Sequence, residues 1–211
     1  MQSTLEIALS LVVLILSIIL HEVAHGYAAD ALGDPTARYA GRLTLNPLAH
    51  IDPIGSVIVP LLLVISSSPI FFGWAKPVPY NPHNLRNKRW GEAIVAGAGV
   101  ATNLLIAVIF ALLARATAAS APTAASFLAL ICFINLFLGL FNLIPFPPLD
   151  GYGVLAGVLP FRLSYGLRRF EMQIRSMGVV SLILFLLIFS YFLAGPFSNL
   201  VYGIFSFLIG A

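Results

Sequence analysis

Apolar residues fall into long runs, which are separated by short polar stretches rich in turn-forming and basic residues. Three of these runs, 5–31, 92–114 and 124–144, reach the length of about 20 residues that a helix needs to cross a bilayer. A fourth apolar region, 178–211, is interrupted at Gly195-Pro196. It is predicted to form either two short spans or one span and a helix at the membrane surface.

Two further segments differ from these runs. Residues 54–72 are apolar but contain Pro60, a serine run at 66–68 and Pro69. Because a proline removes a helical hydrogen bond, this pattern fits a broken segment, which would either re-enter the membrane or form a hairpin embedded in its surface. Residues 145–177 are predicted to form a loop and an amphipathic helix at the interface, whose cations indicate orientation and contact with anionic lipid. The cations are Arg162, Arg168, Arg169 and Arg175.

Composition also indicates a membrane protein. The 211-residue chain is 60% hydrophobic and 9% charged, whereas a soluble domain carries about 25% charged residues. We predict an all-α polytopic protein, a bundle of about five to six transmembrane or re-entrant helices in one domain over 1–211. Its core would be 5–153, followed by C-terminal helices at 154–211. The net charge of +3 is spread over loops, which argues against a nucleic-acid partner.

The sequence His21-Glu22-Val23-Ala24-His25 lies inside the first apolar run. Residues i and i+4 share one face of a helix, so both imidazoles can reach one metal ion, with Glu22 beside them as a candidate general base. Titratable groups cost free energy in hydrocarbon, so this placement indicates a functional site. The alternative for Glu22 is a structural acid that orients a histidine.

A third ligand is needed, because catalytic zinc takes three protein ligands and keeps a further position open. His50 and His83 both lie in loops. His50 and Asp52 are expected either to tune the site or to cap a turn. Asp150 is the stronger candidate: prolines end the 124–144 helix just before it, and a cation would offset the cost of a carboxylate at that depth.

These residues resemble the site-2 protease family of intramembrane zinc metalloproteases. The resemblance rests on His21 to His25 and on the stretch from Asn142 to Gly151, which fits the family pattern N-x-x-P-x-P-x-L-D-G. The intervening segments are similar to a small bacterial branch that lacks appended domains. One departure is that the family's G-P-x-x-N reads Gly99-Val100-Ala101-Thr102-Asn103 here, without the proline.

The resemblance implies that His21, His25 and Asp150 hold one zinc ion per chain and that Glu22 is the catalytic base. It also implies that Asn142 and Asn103 bind an extended substrate peptide, with a polar contact between helices as the alternative for each. The expected partners are the lipid bilayer and a single-span membrane protein or peptide, cleaved by regulated intramembrane proteolysis. Assembly as a homo-oligomer is left open. The alternative function is a non-enzymatic metal-binding membrane protein or a metal transporter.

The site requires the two histidines and Asp150 on one side of the membrane. If 54–72 crosses, Asp150 emerges on the opposite side; if it re-enters, the sides agree. Re-entry also places ten of the eleven Lys and Arg residues on one side, with only Arg115 on the other. By the positive-inside rule, we expect the protein in the cell membrane with its N-terminus outside and the active site near the cytoplasmic face.

A short β-like segment near the active site is also expected. Residues Tyr39 to Leu45 alternate weakly between apolar and polar positions and would offer a strand edge for pairing with substrate backbone. The alternative is an ordinary connecting loop.

Overall fold

The structure, a computed structural model, describes residues 4–59, 61, 65 and 74–210. These residues form helices and no strands, so the all-α prediction is confirmed. The helices are α1 (Thr4–Ala31), α2 (Thr36–Tyr39), α3 (Gly91–Thr117), α4 (Pro122–Asn142), α5 (Asp150–Val158), α6 (Phe161–Ser176), α7 (Val179–Ile188) and α8 (Ala194–Ile209). Shorter helical turns lie at Pro47–His50, Pro53–Ile58, Pro82–Asn84 and Phe189–Leu193.

Within the described ranges, four stretches are long and apolar enough to cross a membrane. They are Leu5–Ala31, Gly91–Thr117, Pro122–Asn142 and Val180–Ile209. The first three match the spans predicted from hydropathy, with ends that differ by a few residues. The polytopic prediction is therefore confirmed.

The predicted break at Gly195-Pro196 is wrong. The helical run continues from α7 into α8 through both residues, and the irregularity lies earlier, as a π-helical turn at Phe189–Leu193. Pro196 has no N–H to donate, and its ring crowds the carbonyl four residues before it. A π turn ahead of the proline accommodates this crowding without ending the helix. The region therefore forms one candidate span, Val180–Ile209.

The ends of α1 and α4 and the start of α3 lie at the same end of the bundle. His25, near the end of α1, reaches Val95 in the second turn of α3, and His21 reaches Asp150 just after α4. The segment between α1 and α3 therefore begins and ends at the same end of the bundle. This is the arrangement expected if 54–72 re-enters the membrane instead of crossing it. Pro60, the serine run and Pro69 lie outside the described residues.

The segment from Tyr39 to Leu45 is not a strand. Tyr39 ends α2, and turns and bends follow it, so the connecting-loop alternative is the correct one. The buried side chain of Arg42 organises this loop by donating to the carbonyl of Lys76 at 2.6 Å. The Arg42 side chain, and not a neighbouring strand, pairs with the backbone here. The weak alternation of the sequence therefore does not produce a strand.

His50 and Asp52 support the loop rather than the metal site. Asp52 caps the Pro53–Ile58 turn by accepting from the amides of Ile54 and Gly55 at 3.0 and 2.7 Å. The Nε2–H of His50 donates to the carbonyl of Thr44 at 2.8 Å. The capping alternative is therefore the one that the structure contains.

An apolar core lies toward the opposite end of the bundle, where α3, α4 and α8 meet. Its buried members are Ala107, Ala111, Cys132, Leu136 and Val201. Cys132 is fully buried there and packs as a small hydrophobic side chain. The C-terminus of α8 lies beside Arg115, since a Cβ at Gly210 would be 3.4 Å from the Arg115 guanidinium carbon.

Candidate metal centre

Three side chains from two parts of the chain converge at one end of the bundle. The Nε2 atoms of His21 and His25 lie 2.8 and 3.3 Å from Oδ2 of Asp150, and 3.1 Å from each other. The histidines are on α1, one turn apart, and Asp150 is the first residue of α5. The structure thus brings together the three metal ligands expected from the sequence.

The second nitrogen of His25 explains how its imidazole is oriented. Its Nδ1 lies 2.7 Å from the carbonyl oxygen of Val95 on α3. With Nδ1–H donating to that carbonyl, the neutral imidazole presents an unprotonated Nε2. This nitrogen faces a carboxylate oxygen and the Nε2 atom of His21. With His21 in the same tautomer as His25, three electron-pair donors meet at one point. A cation relieves their mutual repulsion, and two imidazoles with one carboxylate are a donor set that zinc accepts.

A glycine on α3 allows the helices to approach at this point. A Cβ at Gly99 would lie 2.5 Å from Nε2 of His25 and 2.7 Å from Nε2 of His21. Real Cβ atoms do not come so close to other heavy atoms, so any larger residue would displace an imidazole or separate α1 from α3. Gly99 is therefore part of the wall of the metal centre.

Glu22 is held by the segment that precedes α3. Its Oε2 accepts a hydrogen bond from the amide of Val78 at 2.8 Å. The segment is itself held by Arg42, whose guanidinium donates to the carbonyl of Lys76 and, at 3.4 Å, to that of Pro77. A chain of contacts from Arg42 through residues 76–78 thus fixes one oxygen of the Glu22 carboxylate.

The two asparagines expected to bind substrate are placed differently. Asn142 is the last residue of α4 and is partly buried; its Nδ2 donates to the carbonyl of Leu138 in the same helix, at 3.0 Å. Asn103 is completely buried on α3, one turn after Gly99. No hydrogen bond in the described part of the chain joins either side chain to His21, His25 or Asp150.

A buried carboxylate connects the loop after α1 with the segment that precedes α3. Asp34, with 0% of its surface exposed, accepts from the amide of Asn81 at 2.5 Å and from Nδ2 of Asn84 at 2.8 Å. It also accepts from the hydroxyl of Thr36 at 2.5 Å. Burial alone would raise the pKa of this carboxyl, but the hydrogen bonds from Thr36, Asn81 and Asn84 hold the pKa below its ordinary value.

Comparison with known proteins places the chain in a family. A family model described as peptidase family M50 matches residues 114–186, which include Asp150. The chain is 38% identical over 197 residues to YwhC of Bacillus subtilis (strain 168), a provisionally named zinc metalloprotease, with 89% of this chain and 84% of YwhC covered. The chain belongs to peptidase family M50. Membership of M50 confirms the resemblance to the site-2 protease family.

Two relatives of lower identity also have names that describe a zinc metalloprotease. Rip2 of Mycolicibacterium smegmatis, also provisionally named a zinc metalloprotease, is 35% identical over 144 residues, covering 67% of this chain and 53% of Rip2. Rip2 of Mycobacterium tuberculosis (strain H37Rv) is 31% identical over the same coverage. No solved structure matches the chain. With four apolar helices of membrane-spanning length among the described residues, and with membership of M50, the chain is an integral membrane protein.

Sequence reasoning missed the groups that support the ligands of this M50 site. The carbonyl of Val95 and the amide of Val78 are backbone atoms, which any residue would supply. Arg42 gave no motif signal. Gly99 did carry one, because it begins the stretch that matches the family's G-P-x-x-N apart from the proline.

Proposed function

We propose that this protein is an intramembrane zinc metalloendopeptidase that hydrolyses peptide bonds of membrane-embedded substrates. One observation carries the proposal: the Nε2 atoms of His21 and His25 and Oδ2 of Asp150 converge within 3.3 Å inside an apolar bundle, next to an acid in the same helical turn. Membership of a peptidase family, and relatives whose names provisionally assign zinc metalloprotease activity, support the same reaction class.

His21, His25 and Asp150 would hold one zinc ion per chain. When bound, zinc supplies Lewis-acid polarisation of a peptide carbonyl and lowers the pKa of a water molecule to about 7. Glu22 then acts as the general base: it takes the proton of the attacking water and passes it to the leaving amine. Its hydrogen bond from Val78 fixes one carboxylate oxygen, which leaves the other oxygen to carry the proton.

The substrate would be a single-span membrane protein or peptide that unwinds locally at the site. An extended segment presents free amides and carbonyls, and the carboxamide of Asn142 offers both a donor and an acceptor to them. Among the described residues this carboxamide makes one hydrogen bond, from its Nδ2 to the carbonyl of Leu138 in its own helix at 3.0 Å. Its position at the end of α4, eight residues before Asp150, supports a substrate-binding role.

The placement of cations supports a site near the cytoplasmic face of the cell membrane. The end of the bundle that carries His21, His25 and Asp150 is called the metal end. Four cations contact residues there, namely Arg38, Arg42, Arg86 and Arg168. Arg115 lies at the opposite end, the far end, beside Gly210. Under the positive-inside rule the metal end is cytoplasmic, and both termini of the described bundle lie outside.

A metal transporter is the second candidate, and Glu22 distinguishes the two. Transport requires ligands along a path and no base, whereas peptide hydrolysis requires one. The described ligands cluster at one depth, with the adjacent acid held by the Val78 amide, and this arrangement favours hydrolysis.

The test is cleavage of a panel of single-span substrates by purified protein in liposomes, with zinc content measured in the same samples. We expect wild type to cleave and Glu22→Gln to lose about 10²- to 10⁴-fold in rate while retaining zinc. Glu6→Gln, at the start of the same helix, is the matched control and should cleave like wild type. Equal cleavage by Glu22→Gln and wild type would exclude Glu22 as the base, and a wild type without zinc would exclude the site.

A further inference from the structure

Below the metal centre, α1, α3 and α4 meet at a small set of buried polar side chains. These are Ser17 on α1, Asn103 on α3 and Asn135 on α4, with 4%, 0% and 0% of their surfaces exposed. Nδ2 of Asn135 donates to Oγ of Ser17 at 2.9 Å. Both polar atoms of the Asn103 side chain, and Oδ1 of Asn135, have no hydrogen-bond partner among the described residues.

His21 adds a fourth unpaired atom to this junction. Its Nδ1 is buried and likewise has no partner in the described ranges. Ser17 lies one helical turn before His21, and helical side chains lean toward the N-terminus. On α3, Gly99 touches the imidazole of His21, and Asn103 lies one turn further in the same direction.

The α4 side of the junction is fixed by two residues one turn apart. A Cβ at Gly139 would lie 3.5 Å from the Cβ of Asn103, so this part of α4 faces Asn103. Asn135, one turn earlier, reaches Ser17. These contacts place His21, Asn103 and Asn135 around the same junction of the three helices.

The unpaired atoms are chemically complementary. With Nε2 of His21 committed to the metal, its Nδ1 carries a proton and is a donor, as is Nδ2 of Asn103. The acceptors are Oδ1 of Asn103 and Oδ1 of Asn135. Polar groups buried in a membrane require partners, and one water molecule, which accepts two bonds and donates two, can give each of these four atoms one partner.

We propose that Asn103 and Asn135 hold a buried water molecule that accepts the Nδ1–H of His21 and so fixes the orientation of that metal ligand. The water plays for His21 the part that the Val95 carbonyl plays for His25. Asn103 is thus a positioning residue, and its complete burial fits this role better than direct contact with substrate. The inference rests on the proposed metal-binding role of His21.

A measurement on the zinc-loaded wild type tests the water directly. In protein labelled with ¹⁵N-histidine, we expect magnetisation transfer from water to the Nδ1–H of His21. The Nδ1–H of His25, which is bonded to a backbone carbonyl, is the internal control and should show none. A His21 Nδ1–H without transfer would overturn the proposal, and no substitution is needed for this result.

A substitution series tests the positioning role, with zinc affinity measured by chelator competition. Asn103→Leu removes both polar atoms and should raise the zinc Kd about 10- to 100-fold. Thr102→Val should bind zinc like wild type, because the lost hydroxyl donates to the carbonyl of Ala98 in the same helix at 2.9 Å and to no other group that the structure describes. Unchanged affinity in Asn103→Leu, with a raised KM for substrate, would overturn the proposal in favour of a substrate contact. A wild type that binds no zinc would instead remove the proposed function.

Discussion

At the far end of the bundle, α3, α4 and α8 meet through small and apolar side chains, whereas at the metal end α1, α3 and α5 meet through polar atoms. The far end is formed by Ala107, Ala111, Cys132, Leu136 and Val201, all nearly or fully buried. At the metal end, the contacts run from imidazole to carboxylate, from imidazole to carbonyl and from carboxylate to amide.

The two ends therefore place different demands on the sequence. Apolar packing depends on volume and shape, and related side chains can substitute for one another at a modest cost. In a membrane interior, the loss of any single contact between polar atoms costs free energy, because the remaining group is left unpaired. At the metal end, we expect substitutions next to the metal ligands or Glu22 to change metal binding or activity, and substitutions in the loops to change stability. At the far end, we expect substitutions to change stability alone.

The largest effect is expected for Gly99→Ala. The added Cβ would lie 2.5 Å from Nε2 of His25, so an imidazole must move or the helices must separate. The zinc Kd, measured by chelator competition, should rise at least about 100-fold. Gly97→Ala is the matched control, since its Cβ would lie 3.7 Å from Val154, an ordinary contact. Equal zinc affinity in the two variants would show that Gly99 does not shape the centre.

Asp34→Asn should weaken the loops at the metal end by about 2 kcal/mol at neutral pH, because an amide N–H₂ would replace either the oxygen that accepts from Asn81 or the oxygen that accepts from Asn84. Since the pKa of Asp34 is lowered on folding, its contribution is present above the ordinary aspartate pKa of about 3.9 and is lost as pH falls through the folded-state value.

The check is thermal stability of wild type and Asp34→Asn in detergent, as a function of pH. The difference should be largest near neutrality and should shrink in the acidic range below about pH 4. Asp30→Asn, which affects a partly exposed ion pair with Arg38, should show a smaller difference. A constant difference for Asp34→Asn across the whole range would contradict this account.

A smaller effect is expected for Arg42→Gln. Loss of the bonds to the carbonyls of Lys76 and Pro77 loosens the segment that holds Glu22. The cleavage rate should fall about 10-fold, which corresponds to one charged hydrogen bond, and zinc content should not change. Arg38→Gln, an exposed cation on α2, should leave the rate as in wild type. Zinc loss in Arg42→Gln would contradict this account, because it would show that the segment held by Arg42 supports the metal ligands and not Glu22 alone.

The smallest effect is expected at the far end. Cys132→Ala removes a buried sulfur from the core among α3, α4 and α8 and should lower stability by about 1 kcal/mol. Zinc affinity and cleavage should match wild type. If cleavage fell with stability unchanged, the separation between the two ends would not hold.

The sequence predicted the parts of this molecule that depend on side-chain identity. Hydropathy located α1, α3 and α4. The i, i+4 spacing of His21 and His25, and the prolines before Asp150, located the ligands that the structure brings together. Parity of the spans required the segment before α3 to return to its starting side, and the contacts of His25 with Val95 agree.

The parts that were not predicted depend on tertiary contacts. The weak alternation from Tyr39 to Leu45 suggested a strand, but the buried Arg42 holds this loop instead. Gly195-Pro196 suggested a break, but a π turn at Phe189–Leu193 carries the helix through. The groups that hydrogen-bond to His25 and Glu22 are backbone atoms, and a pattern of residue types does not predict where backbone atoms lie in the fold.

The most direct test of the account is X-ray absorption at the zinc edge of the purified full-length protein, beside Asp150→Ala. We predict one zinc ion per chain, with two imidazole nitrogens and one carboxylate oxygen at about 2.0–2.2 Å. Asp150→Ala should lose zinc or the carboxylate ligand. Wild-type protein that holds zinc through one imidazole, or a spectrum unchanged in Asp150→Ala, would contradict the assignment of His21, His25 and Asp150 as the metal centre.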